Sequence, residues 1–336
     1  MNSLTEITGF VQFKSAFLIN GQPGAFYIKP WDNFNRNVEG GSRFTDPRDY
    51  TENAIFLGIE LGDAGNVLEE HQIENMAQVW DIFLGTVMAL AKGELACSFE
   101  HRDLHENNIC INRTCGPCEH FNPESTLRCG FSGLEVTLID YGLSRATLQN
   151  GETMFYDLED DLEVFQGSDG HPQFNAYRKM RTHLFTNTRT MEKKSWHDDS
   201  SRDHSNGHSW DEYKPYTNVI WLHFLLGYLK KNLYQIPCST FGTLKDFNAE
   251  TKELSKRMDT RTKVENGAFL SATEVLEFCI GQGWISYEQA EVSGVFDDLE
   301  DDELSVNEEN PKKSAKGKEK QVDIARLKKT SSKKGD

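Results

Sequence analysis

The sequence predicts an α+β fold in which a short strand-rich part precedes a larger, mainly helical part. The segments VQFKSAFLI and NAIFLGIEL have the alternation or short apolar runs of strands. From Asn66 to Ala96, apolar residues recur at helical spacing over several turns. The 336 residues are enough for two domains or for one large bilobed domain.

The first sixty residues are predicted to hold three strands. VQFKSAFLI is the first, the turn NGQPG follows, and AFYIKPW is the second. A polar loop then leads to the third strand, NAIFLGIEL, which ends at the Gly62–Gly65 break. Residues 1–62 are therefore predicted to be one structural unit.

Residues 63–292 are predicted to form the helical part. We expect two helices between residues 66 and 96, the second long and amphipathic, from Ala77 to about Lys92. A strongly apolar helix is expected from Thr217 to about Leu233, with further helices near 243–259 and 271–281. Polar insertions are expected near 112–133 and 181–209, and residues 293–336 read as a disordered tail, acidic and then basic.

The charge is unevenly distributed. Residues 311–336 hold ten Lys or Arg against three Asp or Glu, so that the net charge of −17 divides into about +7 there and −24 elsewhere. An acidic body repels nucleic acid and suits a basic peptide. No apolar run reaches the length of about 18 residues that a membrane span requires. Seven cysteines, an odd number, favour an intracellular protein with free thiols.

The segment HRDLHENN, residues 101–108, has the residue types that phosphoryl transfer requires. Asp103 is placed to accept a hydroxyl proton, and Asn108 offers an amide oxygen to magnesium. Asp140 follows the apolar strand LEVTLI and is the expected second magnesium ligand. The order HRDL, Asn, then Asp140-Tyr-Gly matches the protein-kinase signature. Small-molecule phosphotransferases share this logic but typically carry Gly before the base, so Arg102 favours a protein kinase.

Three longer segments resemble haspin, an atypical protein kinase of mitosis. They are FEHRDLHENN, IDYGLSR and WDEYKPYTNVIWLHFL, and the resemblance covers roughly residues 4–285. It implies a protein-kinase-like bilobed fold, with a partial β-rich N-lobe and a complete C-lobe. Gly142 departs from the family's threonine and restores the commoner kinase form, and no Ala-Pro-Glu triplet follows.

The resemblance implies a reaction and a substrate. It implies transfer of the ATP γ-phosphoryl group, with Mg²⁺, to a threonine in the basic tail of histone H3 in mitotic chromatin. Asp103 is then the base, Arg102 steadies the loop, and Asp140 and Asn108 hold the metal. His105 and Asp169 match positions on the family's peptide side, although His171 replaces a further acidic residue.

The resemblance also places the hinge. Ile59 falls at the gatekeeper position, and the backbone of Glu60, Leu61 and Gly62 is expected to face adenine. The Gly-rich lid, strand lysine and helix glutamate of a kinase are expected to be absent, because the match begins after them. Lys29, in AFYIKP, resembles the strand lysine, but we interpret it as a surface residue.

Several alternatives stay open. The chain is either an active kinase or a haspin-like module, inactive or truncated, that binds a basic peptide or a chromatin partner; a small-molecule phosphotransferase is a third possibility. Cys115, Cys118, His120 and Cys129 form a zinc site, a redox pair or an inert loop. The acidic stretch FYDLEDDLEVF either contacts peptide or is solvated. The basic tail is a nuclear import signal, a DNA contact or a solubilising segment, and we expect a nuclear protein, with the cytoplasm as a second location.

Overall fold

The computed structural model describes residues 4–42, 44–114, 125–198, 207–232 and 242–292. The tail predicted at 293–336 lies outside these residues. Within them the strands are β1 (Phe13–Asn20), β2 (Ile55–Leu61), β3 (Asn66–Val67), β4 (Ile109–Arg113), β5 (Leu134–Leu138), β6 (Ala146–Thr147) and β7 (Thr153–Met154). The helices are α1 (Ile28–Asn37), α2 (Met76–Cys97), α3 (Glu163–Gln166), α4 (Pro172–Thr186), α5 (Tyr216–Asn232), α6 (Leu244–Glu250), α7 (Lys252–Met258), α8 (Ala272–Gly281) and α9 (Tyr287–Val292). The α+β class is confirmed.

Two of the three strands predicted near the start are confirmed, and they form an antiparallel ribbon. β1 pairs with β2 in a register that sets Leu18 opposite Leu57. The strand predicted at AFYIKPW is wrong, because this segment begins α1. Pro30 lies at the third residue of that helix, where the backbone N–H has no intrahelical partner and its loss costs little.

The long helix of the next segment is confirmed, but it is buried on all sides rather than amphipathic. α2 packs against α8, β5 and α5, and 18 of its 22 residues are buried. Asn75 caps it, with its side chain accepting from the Gln78 N–H. The helix predicted before it is wrong: the Leu68 N–H donates to the Ile109 carbonyl at 2.8 Å, which commits this stretch to pairing with β4.

A three-stranded sheet, in the order β3-β4-β5, brings the two sequence motifs together. β4 and β5 are antiparallel, with Ile109 opposite Leu138. The segment ending at Asn108 enters β4 at the same end at which Asp140 leaves β5. The Val11 N–H donates to the Leu138 carbonyl at 3.1 Å and ties the start of the ribbon to this sheet.

The helices predicted in the C-terminal half are confirmed, although the segment 243–259 is two short helices, α6 and α7, divided at Thr251. The surface insertion predicted at 181–209 is wrong at its start: residues 181–186 complete α4, and Arg181 and His197 are fully buried. The segment 125–133, in the other predicted insertion, includes buried Ser132, which bonds to Asp81 of α2. Among the helices within the described ranges, none combines the length and apolar content of a membrane span.

Candidate active site

The loop between α2 and β4 rests on a buried ion pair. The Glu100 carboxylate accepts from Arg102 Nε at 3.2 Å and from Arg102 Nη2 at 3.1 Å. It also accepts from the Lys214 N–H and the Thr217 hydroxyl, both at 2.8 Å. Glu100 and Arg102 are fully buried. A buried charge of this kind is tolerated only when its partners are all in place.

Arg102 takes a left-handed backbone conformation, with φ of 66°. This costs free energy for a residue with a Cβ, so neighbouring contacts must hold it. The guanidinium donates to the Trp210 carbonyl at 2.7 Å and lies 5.2 Å from the centroid of the Trp210 ring. The buried guanidinium of Arg102 therefore ties the loop to the segment that carries Trp210.

His101 connects the loop to the strand that carries Asp140. Its Nε2 lies 3.0 Å from the Ile139 carbonyl, and its Nδ1 faces the Asp103 N–H at 3.4 Å. Burial lowers the pKa of His101 to about 4, so the ring is neutral. A neutral ring with its proton on Nε2 satisfies both contacts.

The Asp103 side chain is half-buried at the mouth of the loop. Its Oδ1 accepts from the Tyr177 hydroxyl of α4 and lies 3.6 Å from His105 Nε2. Burial raises the pKa of Asp103 to about 6, while the Tyr177 and His105 contacts lower it. A carboxylate with this pKa is ionised at neutral pH and can accept a proton.

Asn108 is oriented by its own loop. Its Nδ2 donates to the Asp103 carbonyl at 2.7 Å, which leaves Oδ1 as the atom able to coordinate a cation. His105 Nδ1 accepts from the Asn107 N–H at 3.2 Å, and its Nε2 lies 3.3 Å from Asn108 Nδ2 and 3.6 Å from Asp103 Oδ1. The predicted base, metal ligand and substrate-side histidine thus lie together.

Asp140 is exposed and follows the strand next to Asn108. The Ile139 N–H donates to the Asn108 carbonyl at 3.1 Å. Asp140 has φ of 58°, and its Oδ1 accepts from the Gly142 N–H at 3.2 Å. Two oxygen-bearing side chains at one strand end suit Mg²⁺, which keeps waters and takes phosphate oxygens as its remaining ligands. The donor set therefore fits the ion that the sequence predicted.

Tyr141 fixes the backbone on which Asp140 sits. Its hydroxyl donates to the Leu138 carbonyl at 2.6 Å and accepts from the Val11 N–H at 3.0 Å. Its ring packs against the rings of Phe10, Phe99 and His101, with centroids 5.8–5.9 Å apart. An aromatic cluster therefore links the base of the ribbon to both site motifs.

Comparison with known proteins shows the family of the chain. A family model described as "Haspin like kinase domain" matches residues 2–276. The serine/threonine-protein kinase haspin homolog of Drosophila melanogaster is 33% identical over 221 residues, which is 65% of this chain and 34% of that protein. Serine/threonine-protein kinase haspin of Mus musculus is 28% identical over 274 residues, which is 80% of this chain and 31% of that protein.

The chain belongs to the haspin-like kinase family. It spans about a third of the length of the fly and mouse haspins. The family match covers both the ribbon and the helical part, so the kinase-like fold predicted from the motifs is confirmed.

The residues predicted to form the haspin hinge lie at the end of β2. The Glu60 carboxylate accepts from the Ser15 hydroxyl at 3.0 Å, and the Gly62 N–H donates to the Gln12 carbonyl at 2.7 Å. Leu61 is opposite Phe13 in the ribbon. It stays a prediction that the backbone of these three residues faces adenine. The Gly62 N–H is already hydrogen-bonded within the protein, to the Gln12 carbonyl.

Asp169 lies in the loop that enters α4, the helix that carries Tyr177. Its side chain is 76% exposed, and its Oδ1 lies 3.6 Å from Nη1 of buried Arg178. His171, which replaces an acidic residue of the haspins, is exposed at the N-cap of α4. A peptide role for Asp169 remains a prediction, but its carboxylate is accessible and anchored.

At least one acidic residue of the stretch FYDLEDDLEVF has a structural role. Buried Glu159 accepts from Arg181 Nε at 2.8 Å and from Nη2 at 2.7 Å, in a bidentate pair. It neither contacts peptide nor is solvated. Asp160 and Glu163 are exposed, so the two interpretations remain open for them.

Of the four residues predicted to form a zinc site, a redox pair or an inert loop, the structure describes one. Cys115, Cys118 and His120 lie outside the described residues. Cys129 is buried, and burial raises the pKa of its thiol well above the ordinary value. Among the described residues, no cluster of three His, Cys, Asp or Glu could hold a metal ion.

Lys29, which resembles the strand lysine of a kinase in the sequence, is exposed, as interpreted. It lies on helix α1 and not on a strand.

Sequence reasoning missed Tyr177 and the role of Asn218. Asn218 Oδ1 accepts from the His101 N–H at 3.1 Å, and its Nδ2 donates to the Phe99 carbonyl and to Glu94 Oε1, both at 2.9 Å. Asn218 lies in the segment that resembles haspin, so the motif marked it without giving its task. Tyr177 is 74 residues from Asp103, and no local pattern marks it.

Proposed function

We propose that this chain is a serine/threonine protein kinase domain that transfers the γ-phosphoryl group of ATP to a threonine in the basic tail of histone H3. The observation that carries the proposal is the joint placement of Asp103, Asn108 and Asp140 at one end of the β4-β5 pair. A kinase needs a base for the hydroxyl and oxygen ligands for Mg²⁺, and side-chain oxygens at this end support both assignments. Family membership and the kinase names of the relatives support the reaction class.

The proposed reaction assigns a task to each side chain. The acceptor hydroxyl donates its proton to the Asp103 carboxylate while its oxygen bonds to the γ-phosphorus, and the bond to the departing ADP oxygen breaks. Asn108 Oδ1 and the Asp140 carboxylate would hold Mg²⁺, which supplies neutralisation of phosphate charge when bound. His105 Nε2 lies 3.6 Å from Asp103 Oδ1, so we place the imidazole ring beside the acceptor hydroxyl.

The charge of the chain supports a basic acceptor peptide. Residues 1–310 carry about −24, which attracts Lys- and Arg-rich segments and raises their association rate. Asp169 is exposed at the start of the helix that reaches Asp103. We therefore propose that Asp169 contacts a basic residue of the acceptor peptide.

The experiment is transfer of labelled phosphate from ATP and Mg²⁺ to a synthetic histone H3 tail peptide, with Asp103→Asn as control. Loss of the base should reduce kcat by about 10²–10⁴-fold while ATP binding is retained. A peptide with the threonines replaced by valine should accept no label. Equal labelling by the wild-type and Asp103→Asn chains would contradict the proposal.

A second measurement tests the acceptor. Asp169→Asn should raise KM for the basic peptide by about 2- to 5-fold, the worth of an exposed ion pair, and leave KM for ATP unchanged. Glu265→Gln is the matched control, because this carboxylate is also exposed but lies in the turn after α7. An equal response of both variants would show a general charge effect and no contact at Asp169.

One observation favours a second candidate, a haspin-like module that binds a basic peptide without transfer. In the part of the chain that the structure describes, Lys14 and Lys29, the lysines that precede the predicted hinge, are both exposed and form no ion pair with a glutamate. A kinase lysine instead holds phosphate and pairs with a helix glutamate. Peptide binding with no labelling by the wild-type chain would favour this second function.

We also propose nuclear, chromatin-associated localisation, with DNA contact through residues 311–336. The support is the charge of about +7 on that segment, because clustered Lys and Arg bind phosphate and serve as import signals. Removal of residues 311–336 from a fluorescent fusion should reduce its nuclear fraction. An unchanged distribution would contradict the import proposal.

A further inference from the structure

Tyr177 contacts the proposed base from α4, a helix outside the loop that carries Asp103. It lies in the second turn of α4, is 4% exposed, and its hydroxyl donates to Asp103 Oδ1. Gln173 Nε2, one turn earlier, donates to the Tyr177 oxygen at 3.3 Å. With its oxygen accepting from Gln173, the hydroxyl has its hydrogen directed at Asp103.

The position of this hydroxyl is set by the helical core. The Tyr177 ring packs edge-on against Trp221 of α5, with centroids 5.3 Å apart, and Trp221 Nε1 donates to Met180 Sδ of α4. Burial and the charge of Asp103 raise the pKa of Tyr177 above its ordinary value, so the hydroxyl keeps its proton. A buried, neutral donor on a rigid helix is suited to orienting a carboxylate.

The contacts of the Asp103 carboxylate with Tyr177 and His105 both involve Oδ1. Oδ1 receives the Tyr177 hydroxyl and faces His105 Nε2 at 3.6 Å. The backbone of Asp103 is fixed separately, by Asn108 Nδ2 at its carbonyl and by His101 Nδ1 at its N–H. Once Oδ1 and the backbone are held, the rotation of the carboxylate is set, and so is the direction of Oδ2.

We propose that Tyr177 is a positioning residue for phosphoryl transfer: its hydroxyl holds Oδ1 of Asp103 so that Oδ2 is presented to the acceptor hydroxyl. This inference rests on the proposed kinase function and adds to it the residue that orients the base. A hydrogen bond to an ionised oxygen is strong enough to select one carboxylate rotamer. Moving a reacting group by about 1 Å or less lowers the rate of the chemical step.

The test is Tyr177→Phe in the full chain, which removes the hydroxyl and keeps the ring against Trp221. We expect kcat to fall about 10- to 100-fold, with KM for ATP and for the peptide each within about 2-fold of wild type. Tyr50→Phe is the matched control, because this half-buried ring packs on Phe56 in the ribbon, and its kcat should not change. A kcat of Tyr177→Phe within about 2-fold of wild type would overturn the inference.

A double-mutant cycle shows whether Tyr177 acts through Asp103. In an Asp103→Ala background, Tyr177→Phe should change the residual kcat by less than about 2-fold, because no carboxylate remains to orient. An equal loss in both backgrounds would overturn the proposal and indicate general damage to the fold. Phosphate found on Tyr177 itself by mass spectrometry would also overturn it, since the hydroxyl would then be an acceptor.

The wild-type chain, the two single variants and the double variant also separate this inference from the proposed function. If the two side chains are hydrogen-bonded, their effects on the urea midpoint of unfolding are non-additive, whether or not the chain transfers phosphate. Non-additive midpoints without transfer by the wild-type chain would support the contact and refute the kinase function alone. Additive midpoints would refute the contact, whatever the activity.

Discussion

The loop that carries Asp103 and the ribbon formed by β1 and β2 are built in opposite ways. Glu100, His101 and Arg102 are each 0% exposed, and every one of them bonds to another segment. In the ribbon, Leu18 and Leu57 are paired across the strands yet are 71% and 64% exposed. Polar residues are buried at the loop, and apolar residues are exposed on the ribbon.

This difference shows where the geometry of the site is determined. Three partners of the loop, Trp210, Lys214 and Asn218, come from more than 100 residues away. The ribbon is held chiefly by its own ladder of backbone hydrogen bonds. The proposed base and metal ligands therefore depend on the packing of the helical part, and the side chains of β1 and β2 contribute little to their placement.

Breaking the buried ion pair beneath the loop should have the largest effect on stability. Arg102→Ala leaves the Glu100 carboxylate buried without its main counter-charge, and loss of one partner of such a pair costs about 3–5 kcal/mol. The free energy of unfolding, measured in urea, should fall by this amount, and transfer activity should fall with it.

The matched control for this prediction is Arg113→Ala. Arg113 Nη2 pairs with Glu74 at 3.2 Å, and both side chains are exposed, so its loss should cost less than about 1 kcal/mol. Similar small costs for the two variants would show that the loop is not supported by Glu100.

The second prediction concerns the buried carboxylate of Glu94, near the C-terminal end of α2. It accepts from the Ala272 and Thr273 N–H groups, at 2.8 and 2.9 Å, and from Asn218 Nδ2 at 2.9 Å. It thereby joins α2 to the start of α8 and to the residue that holds His101. Burial raises the pKa of Glu94 from 4.5 to about 7, against the effect of these donors.

A carboxyl group whose pKa is higher in the folded state binds a proton more tightly there than in the unfolded chain. Its contribution to stability is therefore present at low pH and is lost as pH rises from about 4.5 through about 7. The fall in unfolding free energy between pH 5 and pH 8 should be about 2–3 kcal/mol larger for wild type than for Glu94→Gln, which does not titrate. Parallel pH profiles for the two proteins would contradict this prediction.

The motifs of the proposed site could be placed relative to each other from the sequence, because the residues within each motif are close along the chain. Asp103 and Asn108 lie five residues apart in one loop, and Asp140 follows the next strand of a hairpin, so chain order predicted their proximity. The ribbon strands and α5 were likewise predictable, because each carries its own periodicity.

The contacts that orient these motifs could not be predicted in the same way. Tyr177 and Asn218 reach the loop across 74 and 117 residues, and pairing over such separations leaves no periodic signal. All of α1 was missed, because Pro30 and its apolar neighbours resemble a strand edge and the polar remainder of the helix resembles a loop. α2 was expected to be amphipathic, but tertiary packing surrounds it.

The smallest effect is expected on the ribbon. Leu57→Thr keeps a residue suited to strands and changes a side chain that is 64% exposed, so the free energy of unfolding should change by less than about 1 kcal/mol. The matched substitution, Leu138→Thr, is in β5 at a site that is 0% exposed, where loss of apolar volume and burial of a hydroxyl should cost at least about 2 kcal/mol. Urea unfolding of the two variants makes the comparison direct. Equal costs would mean that the ribbon face is covered in solution, and the contrast between an exposed ribbon and a buried loop would then fail.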